Sequence, residues 1–168
     1  DTALALAAFG GGSMLAALAL PKLLERFPDR TAMLAGIALL VIGMLTGATL
    51  PGYQALLSLW FVLGIGYSAA QTPSGRLLRR SARPEDRPAL FAAQFALSHA
   101  CWLITYPLSG WLGEAVGMNA TFLILACVAA AAVAAAFIMW PADDPEVLGH
   151  HHRDLSDDDP HWKAGTNR

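Results

Sequence analysis

Charged residues are scarce in this sequence of 168 residues, and those present are gathered into short groups. Only 14% of the residues are Asp, Glu, Lys or Arg, whereas 55% are hydrophobic, and soluble domains carry roughly 25% charged residues. Four stretches contain no Asp, Glu, Lys or Arg at all: 2–21, 31–75, 88–113 and 115–142. This composition excludes an ordinary soluble domain and indicates an integral membrane protein.

Each of these stretches is long enough to cross a bilayer, because a helix needs roughly 20 apolar residues to span about 30 Å of hydrocarbon. The second stretch is long enough for two crossings, and Pro51-Gly52 inside it is a strong turn signal. Backbone polar groups must find their partners within the protein when lipid surrounds it. We therefore predict an all-α fold, a polytopic transmembrane bundle over residues 1–140 with five spans at about 2–20, 31–50, 53–73, 88–112 and 117–140.

Residues that support chemistry are also sparse within the spans. Cys101 and Cys127 are the two cysteines, and both lie in apolar stretches, so a disulfide framework is not indicated. No span carries a paired carboxylate, a HExxH motif or a nucleophile beside a base. We therefore predict no catalytic residues, no metal site and no cofactor, and nothing in the charge pattern indicates nucleic-acid binding.

The C-terminal segment 141–168 differs from everything before it. Seven of the thirteen acidic residues fall there, together with the run His150-His151-His152, and apolar residues are few. Such a composition predicts a disordered tail. Imidazole and carboxylate groups suit divalent metals, but the tail shows no fixed ligand spacing, so we predict no metal site in it.

Basic residues alternate between the predicted loops. Loops 21–30 and 74–87 carry all eight Lys and Arg that precede the tail, and loops 51–52 and 113–116 carry none. Because Lys and Arg are enriched in cytoplasmic loops, we expect both basic loops and the tail on the cytoplasmic side of a plasma (inner) membrane, with the N-terminus outside.

Polar and aromatic side chains are concentrated in the third and fourth spans. Polar residues at spacings of three and four place one polar face on the fourth span, and such faces usually point into a bundle or a watery cavity. His99 is the only ionisable residue well inside a span apart from tyrosines and cysteines. It either couples protons and contacts substrate, or it is a neutral histidine bonded across helices. The candidate substrate and proton pathway consists of Trp60, Tyr67, Gln71, Gln94, His99, Trp102 and Tyr106.

The four large aromatic residues in that set allow two interpretations. Trp60 and Tyr67 on the third span and Trp102 and Tyr106 on the fourth either form an aromatic wall for an amphipathic ligand or serve as packing residues.

The first basic loop reads PKLLERFPDR and aligns without gaps with G-x-L-x-D-R-x-G-R-R, the loop motif of the major facilitator superfamily. Leu23, Arg26 and Arg30 match the motif, and Glu25 replaces its Asp. The residues that depart from the usual pattern are Pro21, Leu24, Pro28 and Asp29. The loop resembles the second copy of the motif, between helices 8 and 9 of the family, which makes the five spans helices 8 to 12.

The resemblance implies a secondary active transporter that works by alternating access, in which two six-helix halves rock about a midplane site. It implies a small-molecule substrate, taken up or exported, with the lipid bilayer and the remaining N-terminal helices of the same protein as partners. The histidine favours protons as the coupling ion. The resemblance assigns Glu25, Arg26 and Arg30 to a gating loop, although they would equally serve as positive-inside anchors.

Two observations bear on whether the chain acts alone. It lacks an initiator Met, and five spans are too few for a six-helix half, so we expect that it starts within a longer protein. The alternative is a membrane scaffold or assembly protein of five helices that transports nothing. An intramembrane enzyme is the weakest interpretation, and a scaffold does not require polar faces confined to two spans.

Overall fold

Helices account for nearly all of the residues that the computed structural model describes, which are residues 1–141. The predicted tail, except for its first residue, lies outside the described residues. Over the described range the chain forms the helices α1 (Thr2–Leu23), α2 (Asp29–Gly47), α3 (Tyr53–Gln71), α4 (Ser74–Ser81), α5 (Arg87–Ala115) and α6 (Gly117–Met139).

Five segments of the described chain are long and apolar enough to cross a membrane: α1, α2, α5, α6, and the segment Tyr53–Ser81, which joins α3 and α4. The prediction of an all-α bundle with five spans is confirmed, and the chain is an integral membrane protein. Large apolar side chains point away from the bundle, as Ile138 and Met139 do at 81% exposed. A lipid environment accounts for this arrangement, since lipid tails offer no penalty to such side chains.

Two of the predicted loops differ from the structure in their helix content and length. The loop predicted at 74–87 contains the helix α4, whose leucines and arginines lie on opposite faces. The loop predicted at 113–116 is almost absent, because α5 continues to Ala115 and only Val116 separates it from α6. The chain turns at Gly117, whose φ of +82° is accessible to glycine at little cost.

The long helices pack in the order α1, α3, α2, α6, α5, and each contacts mainly its neighbours in that row. Contacts at the two ends of the long helices divide the connections between them into two groups. At one end Asp29 meets Arg76, and Arg30 meets Trp140. At the other end the Tyr53 hydroxyl donates to the carbonyl of Asp1, and the Asn119 side chain donates to the carbonyl of Ala48. The two basic connections and the end of α6 thus lie on one side of the bundle.

Glycine allows the closest approaches between these helices. A Cβ added at Gly12 of α1 would meet the carbonyl of Phe61, and a Cβ added at Gly64 of α3 would meet the carbonyl of Phe9. Gly36 of α2 also lies against the backbone of α3, where an added Cβ would be 2.7 Å from the carbonyl oxygen of Gly66. Small residues at helix crossings are typical of membrane bundles, in which backbone contact replaces the hydrophobic effect.

Candidate functional site

An aromatic ladder on α5, formed by Phe95, His99, Trp102 and Tyr106, is the most distinctive surface in the described chain. The ring centroids of Phe95 and His99 lie 3.9 Å apart, and those of His99 and Trp102 lie 4.9 Å apart. Trp102 and Tyr106 follow at 6.2 Å, with an angle of 19° between their planes. The spacings of four, three and four residues place these rings on one face of the helix.

The His99 imidazole is held in a defined orientation within this ladder. Its Nδ1 lies 2.8 Å from the carbonyl oxygen of Phe95. A carbonyl only accepts hydrogen bonds, so Nδ1 carries the proton and donates. Nε2 is therefore left as the ring atom that can accept a hydrogen bond or a second proton.

A groove of about 370 Å³ lies beside the ladder, lined by His99, Trp102, Leu103, Tyr106 and Pro107. No residue in this lining is charged, and Tyr106 is 68% exposed. Pro107 lies inside α5, and the helix continues past it to Ala115. The groove thus combines aromatic faces with the one histidine of the predicted site.

The other two aromatic residues of the predicted site lie elsewhere. Trp60 and Tyr67 of α3 are half-buried against α1, where Phe9 contacts both rings at centroid distances of 6.2 and 5.6 Å. Because α2 and α6 lie between α3 and α5 in the packing order, the described bundle does not join these residues to Trp102 and Tyr106. The aromatic wall is divided into a cluster between α1 and α3 and the ladder on α5.

The two glutamines of the predicted site also lie apart from each other. Gln71 is the exposed last residue of α3, next to the start of α4. Gln94 is half-buried on α5, one turn before Ser98, on the polar side of the helix rather than in the aromatic ladder.

Arg30 connects the start of α2 to the end of α6. Its Nε and one terminal nitrogen donate to the carbonyls of Trp140 and Phe137, each at 3.0 Å, and its guanidinium lies 4.8 Å from the centre of the Phe137 ring. The last carbonyls of a helix have no partners within it, and a cation there also meets the negative end of the helix dipole. Glu25 and Arg26, in contrast, are exposed in the turn between α1 and α2.

The structure adds one residue pair that the sequence analysis did not select. The Asp29 side chain is only 4% exposed and lies 3.5 Å from Nε of Arg76, whose side chain is 40% exposed. Asp29 opens α2 directly after Pro28, and an acid in a first turn following proline is a known helix-start signal. The sequence analysis placed Asp29 in the loop 21–30 and began this span at about residue 31, and it held no information about a partner on α4.

Residues 1–161 of the chain match the family described as Major Facilitator Superfamily. The chain belongs to the Major Facilitator Superfamily. The resemblance that the 21–30 loop carries is thereby confirmed as family membership. No solved structure matches the chain.

Curated proteins also resemble the chain. It is 30% identical, over 122 residues, to a protein named multidrug efflux pump Tap from Mycobacterium tuberculosis and to its namesake from Mycobacterium bovis. Each match covers 73% of this chain and 29% of the relative. The chain thus spans less than a third of the length of these relatives.

Proposed function

We propose that the chain is the C-terminal portion of a secondary active transporter that exports a small molecule by alternating access in exchange for protons. Family membership supports transport, and the relatives named as multidrug efflux pumps support export. The observation that carries the proposal is the groove on α5, where aromatic faces and His99 meet in an uncharged surface. Membership in this family favours a transporter over an enzyme or a five-helix scaffold.

The remaining N-terminal helices of the same protein are the partners that the proposal requires. The relatives are more than three times as long as the matched segment. On α5, the aromatic face and residues such as Leu103, 76% exposed, have no cover within the described bundle. We propose that the missing helices close the groove into a substrate cavity at the midplane.

His99 is the proposed proton-coupling group. Histidine changes its charge in the neutral pH range, and with Nδ1 engaged by Phe95 the added proton goes to Nε2. The resulting imidazolium would repel a cationic substrate from the groove. Tyr106 is the only other titratable residue of the lining, and α6 carries no charge over its described length. On α5 itself the charged residues are Arg87 and Glu114, 12 and 15 positions from His99 near the two ends of the helix.

Transport by the whole protein in inside-out vesicles tests this role. In His99→Gln we expect substrate accumulation driven by a pH gradient to fall at least tenfold, while exchange of labelled for unlabelled substrate without a gradient continues. Cys101→Ser is the matched control, because Cys101 lies two residues away on α5 and does not line the groove. Equal gradient-driven accumulation in His99→Gln and wild type would contradict proton coupling at this residue.

The proposal extends to orientation and gating. We propose that the 21–30 and 74–87 connections and the tail face the cytoplasm of a plasma (inner) membrane, because the basic residues collect at that end of the bundle. Arg30 links the start of α2 to the end of α6, so that these helices move together. The exposed Glu25 and Arg26 contact the other six-helix half of the transporter in only one of its two access states.

The gating role predicts a kinetic defect. Arg26→Ala should lower the transport rate several-fold with an unchanged amount of protein in the membrane, because Arg26 is exposed and its loss disturbs no described packing. Transport rates and membrane levels measured in the same vesicles check this. A wild-type transport rate in Arg26→Ala would contradict the gating role and favour the interpretation of Arg26 as a positive-inside anchor.

A further inference from the structure

We infer that the acidic run Asp157-Asp158-Asp159 of the tail docks on the arginine surface of α4. This surface consists of Arg79 and Arg80 in the last turn of α4 and Arg83 two residues beyond its end. The tail follows α6 on the side of the bundle where α4 lies, and its charge is opposite to that of the surface. The contact does not depend on the proposed transport function.

The arginine surface of α4 is exposed, and the structure does not pair all of it. All three of its arginines are exposed, whereas the two leucines of α4 are half-buried on the opposite face of the helix. Arg76 differs from them, because Asp29 already holds it in an ion pair. Arg79 and Arg83 form no ion pair with any residue in the described range 1–141. Their positive charge is therefore available to an acidic partner.

The tail supplies a partner of the required charge. It contains seven Asp and Glu against three Lys and Arg, whereas the chain before it contains six acids against eight bases. Within the tail, only Asp157-Asp158-Asp159 places three carboxylates in succession. Carboxylates form charge-assisted and often bidentate hydrogen bonds with guanidinium groups, so this run suits a surface of three arginines.

The tail begins close to α4. Arg30 donates to the carbonyl of Trp140, the last residue before the tail, and its neighbour Asp29 contacts Arg76 on α4. Asp157 follows Trp140 by 17 positions, a length that covers about 25 Å at a helical rise and more when extended. The run can therefore reach α4, and the covalent connection gives it an effective concentration that a separate molecule does not have.

Anionic lipid headgroups carry the same kind of charge as the tail, but the structure favours the tail. A helix that lies in a membrane interface inserts an exposed apolar face among the lipids. The leucines of α4 are half-buried within the chain, so α4 presents its arginines without such a face. An acidic segment of the same chain requires only the charged surface.

Chemical crosslinking of the whole protein tests the inference. Arg79→Lys keeps the positive charge and introduces an amine, which a carbodiimide joins directly to a carboxylate in contact with it. Mass spectrometry of the peptides should find position 79 joined to the 157–159 run. Lys22, exposed at the end of α1 on the same side of the bundle, is the internal reference and should give several-fold less crosslinking to the tail. Salt at about 1 M, where the Debye length is about 3 Å, should abolish the crosslink when added beforehand.

A charge exchange tests which acidic group of the tail is bound. Arg79→Glu combined with Asp158→Lys exchanges the amine and the carboxylate, so the crosslink between these two positions should form again. Arg79→Glu combined with Asp144→Lys is the matched control, since it places the lysine in the other acidic group of the tail, and it should give no crosslink to position 79. Thermal unfolding of each variant verifies that it is folded.

The same reaction in lipid nanodiscs separates the tail from anionic lipid. The inference predicts that Arg79→Lys gives the crosslink both in phosphatidylcholine and in an equal mixture of phosphatidylcholine and phosphatidylglycerol. Loss of the crosslink in the mixture would overturn the inference and assign the surface to anionic headgroups. Equal crosslinking of the tail to position 79 and to Lys22, or no restoration by the exchanged pair, would also overturn it, because either result indicates a general attraction between opposite charges.

Discussion

Gly64→Ala should lower the free energy of unfolding of the whole protein by about 2–3 kcal/mol, near the upper end of the usual cost of overpacking. The new Cβ would collide with the carbonyl of Phe9, and it would also lie 2.9 Å from the backbone nitrogen of Ser13. Both contacts are backbone atoms of α1, which cannot rotate away as a side chain end can. Relief therefore requires that α1 and α3 separate.

Gly10→Ala is the matched control, because it introduces the same methyl group on α1 at a position with nothing within 4 Å. We expect its stability to equal or slightly exceed that of wild type, since alanine favours helix more than glycine does. Thermal unfolding in detergent, followed by tryptophan fluorescence, compares the two variants. Equal stability for Gly64→Ala and Gly10→Ala would contradict the close crossing of α1 and α3.

Arg76→Gln should destabilise the protein by about 2–3 kcal/mol. Removing one partner of a buried ion pair costs about 3–5 kcal/mol, because it leaves the other charge buried without compensation. We expect less here for two reasons. Arg76 is 40% exposed, so part of its attraction is screened by solvent, and Asp29 lies in the first turn of α2, where the helix dipole favours a negative charge.

A double-mutant cycle isolates the pair, since Arg76 also makes other contacts. Asp29→Asn combined with Arg76→Gln removes the stranded carboxylate and should recover at least 1 kcal/mol relative to Arg76→Gln alone. Arg79→Gln makes the same substitution three residues along α4, at an exposed position, and should change stability by less than about 0.5 kcal/mol. Additive effects of the two substitutions in the cycle would show that the ion pair does not stabilise the connection between α2 and α4.

The membrane-spanning architecture was predictable because it depends on features that are local in sequence. A run of 20 apolar residues, a Pro-Gly turn and a group of basic residues each act over one helix or one loop. The α4 helix was missed because Ser74–Ser81 is short and rich in arginine, which resembles a cytoplasmic loop when only composition is considered.

The arrangement of the candidate site depended on information that one sequence does not contain. Helical spacing places His99, Trp102 and Tyr106 on adjacent parts of one helix face, and the structure brings their rings together. The spacing of residues within α3 and α5 shows which residues share a helix face, but not which helix packs against that face. The contact of α1 with Trp60 and Tyr67 was therefore not predictable from spacing. The partner of Asp29 was hidden for the same reason, since 47 positions separate it from Arg76.

The alternative function, a membrane scaffold, requires different features of the same helices. A scaffold needs the glycine crossings and the ion pair, which hold the bundle together, but it has no use for a groove with an oriented histidine. Stability measurements alone therefore do not distinguish the two functions. Movement of a small molecule across the membrane does.

The most direct test is transport by the purified whole protein reconstituted into proteoliposomes with an imposed pH gradient. A fluorescent aromatic cation is supplied outside, and the interior is made acidic. Proton-coupled export predicts that the cation accumulates inside against its gradient and that dissipating the pH gradient with a protonophore releases it. No accumulation above that of protein-free liposomes, in a correctly inserted and folded protein, would contradict the proposed transport and favour the scaffold.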